Sequence, residues 1–230
     1  DTTWGTTTAA KQATITLTNA QVGDLLAVSG ALPAGITAAL VGNVLTLTGT
    51  GSTSLANMQT AIRQVTFVNG SDNPSSDPRL LEVRVFDGTY WSVKATSTIN
   101  VTPQNDPPVL DLDANNSSGA TTVNYTTSWG VGGVGVKIAD TDATIVDPDN
   151  LSMARATITL TNAQAGDRLD VGALNNISAA TVTTGTTTTI TLTGLSGATN
   201  ADFIAAIQNI TFLNTSAAPS TTARTITVVV

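Results

Sequence analysis

Alternating apolar and polar residues recur along this chain and predict β-strands. In residues 14–18 and 44–48, apolar side chains alternate with threonines, which is the period of a strand with one face in a core and the other in water. In residues 54–64 the apolar positions are instead three and four apart, and this spacing returns in residues 203–207. Such spacing predicts a short helix. We therefore expect an all-β fold of two β-sandwiches, each with one short helical insert.

A long internal repeat organises these elements. The segment ATITLTNAQVGDLLAV at 13–28 returns as ATITLTNAQAGDRLDV 143 residues later, and LANMQTAIRQVTFVN at 55–69 is matched by NADFIAAIQNITFLN 145 residues later. Self-similarity at a fixed period is typical of tandem repeats. We expect residues 1–102 to form one repeat that lacks its first strands. Residues 109–230 then form a second repeat that lacks its last hairpin strand.

A proline-rich segment joins the two copies. Residues 103–108 contain Pro103, Pro107 and Pro108. Each proline fixes φ and removes a backbone donor, so this composition favours a stiff linker over a flexible one.

Composition narrows the possible chemistry. The chain contains neither cysteine nor histidine, which excludes thiolate and imidazole metal sites, Ser-His-Asp triads and Cys-His dyads within it. Its nine Lys and Arg are scattered without a basic stripe, so nucleic acid is not an expected partner. The sequence shows no signal peptide and no run of eighteen apolar residues, so no membrane insertion is expected of this segment.

The acidic residues are almost all aspartates. The net charge is −7, and of sixteen acidic residues only Glu82 is a glutamate. The short Asp side chain suits turns and cation-binding loops. A glycosidase needs two carboxylates across a cleft, whereas Glu82 lies in a strand-like run beside Arg79 and Arg84, which predicts a cross-strand ion pair. We expect no enzymatic activity.

Several motifs together resemble a known family. They are SDNPSSD at 71–77, NDPPVL at 105–110 followed by DLDANNSSG, IADTDATIVDPDN at 138–150, and TLTNAQAGD at 159–167. Their order and spacing resemble the cadherin-like repeats of giant bacterial surface adhesins. The resemblance implies immunoglobulin-like sandwiches, export to the bacterial cell surface, calcium at the junctions between repeats, and a role in adhesion, biofilm or extracellular fibres.

Three acidic segments are candidate ligands for such a calcium ion. Calcium takes six to eight oxygen ligands and would relieve the repulsion between converging carboxylates. If the segments meet at the junction of the repeats, the ion locks the interdomain angle. The same residues are also ordinary turn formers beside Pro and Gly. The candidate ligands are Asp72, Asn73, Asp77, Asn105, Asp106, Asp147, Asp149 and Asn150.

The remaining aspartates have simpler predicted roles. Asp140 and Asp142 form either a second cation site or, as the pattern favours, the outward face of a strand. Asp111 and Asp113 alternate with leucines, which also predicts an outward strand face. Asp87 precedes a glycine and predicts a hairpin turn. The recurrent aspartates of the two AQxGD motifs are expected to accept hydrogen bonds in turns.

The predicted function is a calcium-stiffened spacer repeat of an extracellular adhesin, with neighbouring repeats of the same array as its partners. Two alternatives stay open. One is a self-assembling filament subunit that exchanges strands through unpaired edges. The other is a carbohydrate-binding adhesive module that stacks glycans on Tyr90 and Trp91 or on Tyr125 and Trp129.

Overall fold

The computed structural model describes residues 11–50 and 53–230. The chain divides into two compact units, Asp1–Asn105 and Asp106–Val230, so the boundary falls inside the proline-rich segment 103–108. Residues 1–10, which the prediction places at the start of the first repeat, lie outside the described residues. The described parts of both units consist of antiparallel strands with one short helix each, which confirms an all-β fold with a helical insert in each unit.

The described part of the first unit contains seven strands and one helix. They are β1 (Gln12–Leu17), β2 (Asp24–Val28), β3 (Ile36–Val41), β4 (Val44–Gly49), α1 (Leu55–Arg63), β5 (Val65–Asn69), β6 (Arg79–Phe86) and β7 (Ala95–Ile99). Five strands form one sheet in the order β3-β4-β1-β6-β7, and β2 pairs with β5 in a second sheet. In β1 and β4 the buried side chains are apolar, and they alternate with half-buried or exposed positions, as the period of two predicts.

The second unit repeats most of this plan and adds strands before it. Its elements are β8 (Val109–Asp111), β9 (Val136–Lys137), β10 (Thr144–Val146), β11 (Arg155–Leu160), β12 (Asp167–Val171), β13 (Ile177–Thr184), β14 (Thr187–Gly194), α2 (Asn200–Gln208), β15 (Ile210–Asn214) and β16 (Ile226–Val229). These strands form three sheets, with the orders β13-β14-β11-β16, β12-β15-β9 and β10-β8.

Both helices begin at a hydroxyl cap. Ser54 accepts a hydrogen bond from the backbone N–H of Asn57 at 3.1 Å before α1. Thr199 and Asp202 form a reciprocal capping box at the start of α2. Side-chain oxygens at this position satisfy N–H groups that have no partner within the helix. The helices bury Met58 in the first unit and Phe203 in the second, each as part of its own unit's core.

The AQxGD motif forms the same tight turn in both units. Gly23 and Gly166 have φ of +84° and +85°, and a Cβ on Gly166 would lie 2.8 Å from the backbone N of Ser216. Glycine adopts this left-handed conformation without steric penalty. The turn places the following aspartate, Asp24 or Asp167, at the start of a strand.

That aspartate forms a buried ion pair with an arginine from a distant part of the chain. Nε of Arg79 donates to Asp24 at 2.8 Å, with both side chains fully buried, and Nε of Arg224 donates to Asp167 at 2.6 Å. Each aspartate also accepts a bond within its own turn, Asp24 from the backbone N of Gln21. The predicted turn role is therefore confirmed. The ion pair, which the sequence did not predict, connects the turn to the first residue of β6 in the first unit and to the segment just before β16 in the second.

The ion pair lowers the pKa of both aspartates. Burial by itself would raise the pKa of Asp24, but hydrogen bonds from Arg79, Gln21 and Asn69 outweigh it and hold that pKa below its ordinary value. The pKa of Asp167 is lowered in the same way, with Arg224 as the main hydrogen-bond donor. Both carboxylates are thus charged at neutral pH and compensated inside the protein.

Two smaller predictions concern the β6–β7 hairpin. Asp87 accepts bonds from the backbone N–H groups of Thr89 and Tyr90 at 2.7 and 2.8 Å, so it does form a turn. Glu82 makes an ion pair as predicted, but its partner is Lys94 at 2.6 Å, not a flanking arginine.

A candidate metal centre in the second unit

Three aspartates converge in the second unit. One carboxylate oxygen from each of Asp113, Asp140 and Asp142 lies within 4.8 Å of the other two. Among residues 11–50 and 53–230 this is the group of three acidic side chains that could hold a metal ion. The three residues come from the segment after β8 and from the turn between β9 and β10.

The predicted strand-face role of Asp113 is wrong. β8 ends at Asp111, and Asp113 is completely buried instead of facing outward. Its carboxylate accepts hydrogen bonds from the backbone N–H groups of Ser117 and Ser118 at 3.0 and 2.9 Å. A run of turn formers, Asn115–Gly119, begins two residues after Asp113, and this run could have indicated that the strand stops before it.

The strand-face interpretation of Asp140 and Asp142 is wrong as well. Both lie in the turn between β9 and β10 and not in a strand. The neighbouring Ala139 and Ala143 are 3% and 6% exposed, so the turn is anchored in the core on both sides. The side-chain amide of Gln208 in α2 donates to the carbonyl oxygen of Asp140 at 2.9 Å, which fixes the turn further.

The two segments are connected through the cluster. The hydroxyl of Ser117 donates to Oδ2 of Asp140 at 2.8 Å, and the backbone N–H of Asn115 donates to Oδ2 of Asp142 at 2.9 Å. The other oxygen of Asp142, Oδ1, is buried and accepts no hydrogen bond from the described residues. A buried carboxylate oxygen without a donor is costly, and a bound cation could supply the partner that Oδ1 of Asp142 does not have among the described residues.

The electrostatics of the cluster favour a cation. Hydrogen bonds, foremost from Ser118, hold the pKa of Asp113 below its ordinary value although burial opposes this. Bonds from Ser117 and Thr141 lower the pKa of Asp140 against the neighbouring charge of Asp113. In the described part of the chain, none of the four ion pairs between acidic and basic side chains includes these aspartates. The cluster is therefore negative at neutral pH.

The geometry fits a hard divalent ion. Oxygens on opposite sides of one Ca²⁺ are about 4.6–5.2 Å apart, twice the usual metal–oxygen distance of about 2.3–2.6 Å, and the oxygens of the cluster lie within 4.8 Å of one another. All three candidate ligands are carboxylates, which suit calcium, magnesium or manganese better than softer metals. The cluster could thus hold a metal ion.

Four predicted junction ligands come together around one turn of the second unit. Oδ1 of Asp147 accepts bonds from the backbone N–H groups of Asp149 and Asn150 at 3.0 and 2.9 Å. The backbone N–H of Asp106 donates to Oδ2 of Asp149. These bonds give Asp147 the turn-forming role that the alternative interpretation proposes.

The other predicted junction ligands belong to the first unit. Asp72, Asn73 and Asp77 lie in the exposed loop between β5 and β6, and Asn105 is exposed at the unit's last residue. The hydroxyl of Ser75 donates to Asp77 at 3.0 Å. Calcium binding jointly by both units stays a prediction.

The aromatic candidates for sugar stacking lie in two places. Tyr90 is 75% exposed and Trp91 39% exposed on the β6–β7 hairpin, where Trp91 packs against Phe86. In the second unit Tyr125 and Trp129 line a cavity of about 480 Å³. The ring of Trp129 there meets Phe212 edge to face, with centroids 6.4 Å apart.

Comparison of the chain with protein-family models, with curated proteins and with solved structures found no match. In the described part of the chain, no helix has the length and apolar character needed to cross a membrane.

Proposed function

We propose that this chain is a structural repeat segment of an extracellular adhesin or surface fibre, and that bound calcium stiffens it. Each unit is an immunoglobulin-like sandwich in this proposal, and neighbouring repeats of the same array are its partners. The proposal assigns no catalytic role to any residue.

The observation that carries this proposal is the duplicated module. β3-β4-β1-β6 in the first unit and β13-β14-β11-β16 in the second have the same order. Both units also contain the buried Asp–Arg pair. A protein that repeats one self-contained core along its chain gains length with each copy, and this is the typical construction of spacer arrays.

Calcium is the ion we propose for the Asp113–Asp140–Asp142 cluster. The orphan oxygen Oδ1 of Asp142 and the full burial of Asp113 indicate that the site is shaped for a ligand. Bound there, Ca²⁺ would connect the segment after β8 to the turn before β10. At a calcium concentration 100 times the Kd, binding stabilises the folded unit by about 2.7 kcal/mol.

The variant Asp142→Asn tests this site, because the sign of its effect on stability should differ between chelator and calcium. In a chelator, the substitution relieves repulsion between carboxylates, so the variant should unfold at the same temperature as the native chain or higher. In millimolar Ca²⁺ the native chain should be more stable than the variant. Calorimetric unfolding of the full chain in both buffers measures this. The control is Asp170→Asn, because Asp170 is half-buried, pairs with Arg168 and lies outside the cluster, so its loss should leave the response to calcium unchanged.

A purely structural Asp142 would give another result. The variant would then be less stable by the same amount with and without calcium, which would refute the metal site. A parallel titration with Mg²⁺ separates the two hard ions, because Mg²⁺ demands a smaller octahedral shell.

The spacer role is tested by the length and stiffness of the particle in solution. Small-angle scattering of the full chain should show a longer, stiffer particle in calcium than in chelator if an ion is also bound where the units meet. Asp147→Ala and Asp149→Ala should abolish this difference while leaving the calcium response of Asp113, Asp140 and Asp142 intact. An unchanged scattering profile would contradict the junction calcium without affecting the site inside the second unit.

A further inference from the structure

Each unit leaves one strand edge open at the same place in its larger sheet. In the first unit the sheet order β3-β4-β1-β6-β7 begins with β3, and in the second the order β13-β14-β11-β16 begins with β13. Each of these strands pairs on one side with the next strand of its own hairpin. Within residues 11–50 and 53–230, neither has a strand partner on its other side. Equivalent edges are therefore open in both copies of the module.

The strands that only one unit shows all pair elsewhere. The second unit has β8, β9 and β10 before its module, where β9 pairs with β15 and β8 pairs with β10. The first unit has β7 after its module, and β7 pairs with β6. Among the described strands, none of these additions covers the edge of β3 or β13. The open edge is thus a property of the module and not of the strands on either side of it.

The backbone of β13 presents hydrogen-bonding groups along this edge. The N–H of Leu195 donates to the carbonyl of Asn176, and the register of the hairpin continues from there without a bulge. Hydrogen-bonding direction alternates along an antiparallel strand, so the even-numbered residues of β13 bond to β14. The backbone groups of Ala179, Thr181 and Thr183 therefore face outward.

The strand β13 lacks the features that usually keep an edge from pairing with another chain. Charged side chains, prolines and bulges commonly protect such edges. Residues 178–184 are all exposed, and they contain neither a charged residue nor a proline. Val182 in this stretch is 64% exposed. The edge is therefore continuous, uncharged and accessible to another strand.

The absence of charge extends beyond the strand and is repeated in both units. No Asp, Glu, Lys or Arg occurs in residues 25–62 or in residues 171–201, although the chain carries a net charge of −7. Two copies of this chain repel each other through their acidic residues, and they repel least where the uncharged segments meet. A basic partner would instead be attracted to the acidic surfaces. The charge distribution thus favours a second copy as the partner of this edge.

We propose that the β13 edge pairs with the β13 edge of a second copy of this chain. The two strands run antiparallel about a two-fold axis near Thr181, so one surface supplies both sides of the contact. Each strand provides partners for the outward backbone groups of Ala179, Thr181 and Thr183 in the other, and the sheet continues from one copy into the next. The side chains that meet are small or β-branched, which cross-strand pairing accommodates.

One such contact is weak, and a repeat array would multiply it. An eight-residue strand buries less than the about 1,600 Å² of a standard protein interface, so the chain should dimerise at submillimolar concentration. In an array the contact returns with each module, and linked contacts strengthen one another through their effective concentration. Lateral association of arrays rests on the proposed spacer function, whereas dimerisation of this chain does not.

A pair of opposite charges at Thr181 tests the contact. Thr181 is exposed, so Thr181→Lys and Thr181→Asp should fold as the native chain does, which amide spectra report. In sedimentation equilibrium each variant alone should dimerise at least about tenfold more weakly, because like charges meet near the axis. An equimolar mixture of the two variants should recover dimerisation, because opposite charges then meet.

A matched control separates this effect from general repulsion. Thr181→Lys makes the chain less negative, so repulsion between whole chains predicts stronger association, opposite to the expected result. Gln59→Lys adds the same charge at an exposed position of α1, and it should not weaken dimerisation.

Hydrogen exchange locates the contact. As the concentration of the native chain rises, the amides of Ala179, Thr181 and Thr183 should become protected. Those of Ser178 and Val182 already pair with β14 and should change little.

Three results would overturn the proposal. One is a native chain that stays monomeric up to millimolar concentration. Another is dimerisation that Thr181→Lys does not weaken or that the mixture of variants does not recover. The third is protection gained at the amides of another strand in place of Ala179, Thr181 and Thr183. Calcium has no part in this contact, so dimerisation should be the same in calcium and in chelator, and its failure is distinguishable from failure of the proposed function.

Discussion

Substituting Arg79 by methionine should destabilise the first unit severely. Arg79 and Asp24 are both fully buried, and Arg79 also donates through Nη1 to the backbone carbonyls of Ser75 and Asp77. The variant keeps the volume of the side chain but leaves a buried carboxylate without its cation. Removing one partner of a buried ion pair costs about 3–5 kcal/mol.

That loss is large against the stability of a domain of this size. Single domains are stable by about 5–15 kcal/mol, and 1 kcal/mol shifts the melting temperature of a domain of about 100 residues by about 4–8 °C. The melting temperature of the first unit should therefore fall by at least about 12 °C at pH 7. Calorimetry of the full chain measures this, and Arg63→Met, at an exposed position of α1, should change stability by less than about 0.5 kcal/mol.

The pH dependence of the stability loss in Arg79→Met shows whether the unpaired charge on Asp24 causes it. In the native chain the pKa of Asp24 is lowered, so its stabilisation is present above the unfolded pKa of about 3.9 and is lost as the pH falls through the folded value. Without Arg79, burial should dominate and raise the pKa of Asp24. The deficit of the variant should then be largest at neutral pH and shrink below about pH 4.

The double variant Asp24→Asn/Arg79→Met completes the experiment. It removes the uncompensated charge, so it should recover at least half of the stability lost at pH 7. A deficit that is independent of pH and not recovered in the double variant would refute the ion-pair argument and assign the loss to the contacts with Ser75 and Asp77.

Four further predictions concern the second unit. Thr199→Ala should cost the second unit about 0.5–2 kcal/mol in urea unfolding, because the α2 cap is lost; no change would mean that the cap is redundant. Gly166→Ala should cost more than about 1 kcal/mol in the same assay, because φ is +85° and the backbone is close; a neutral result would contradict the close approach. Phe203→Ala should cost about 3–5 kcal/mol, because Phe203 is fully buried; a loss under about 1 kcal/mol would show that the core closes over the cavity. Since the pKa of Asp167 is lowered, native stability of the second unit should decline as the pH falls below about 4, and a flat profile by circular dichroism would contradict this.

Local patterns were sufficient for several of the strands and for both helices. The alternation in residues 14–18 and 44–48 corresponds to β1 and β4, and the three-and-four spacing corresponds to α1 and α2. These predictions succeed because side-chain direction is periodic within a strand or a helix, so the burial of one face is visible in consecutive residues. The internal repeat extends the same prediction to the second copy.

Local patterns failed at the three aspartates of the candidate metal centre. Asp113 alternates with leucines as an exposed strand residue would, yet it is completely buried. A run of alternating residues does not show where the strand ends, and β8 ends at Asp111. The turn that holds Asp140 and Asp142 is fixed in part by Gln208 of α2, which is far away in the sequence.

The amino-acid sequence by itself determined the class of the fold and the duplication of its module. Because the chain has no cysteine or histidine, the sequence also excluded thiolate and imidazole metal sites and catalytic triads or dyads that need these residues. Only the tertiary structure decided which acidic residues meet, which carboxylates are buried, and which arginine compensates each of them. The reason is physical: secondary structure follows from the periodicity of neighbouring residues, whereas a cation site or a buried ion pair depends on side chains that folding brings together from separate segments. Asp24 and Arg79, 55 residues apart, become neighbours only when the sheets close around the core.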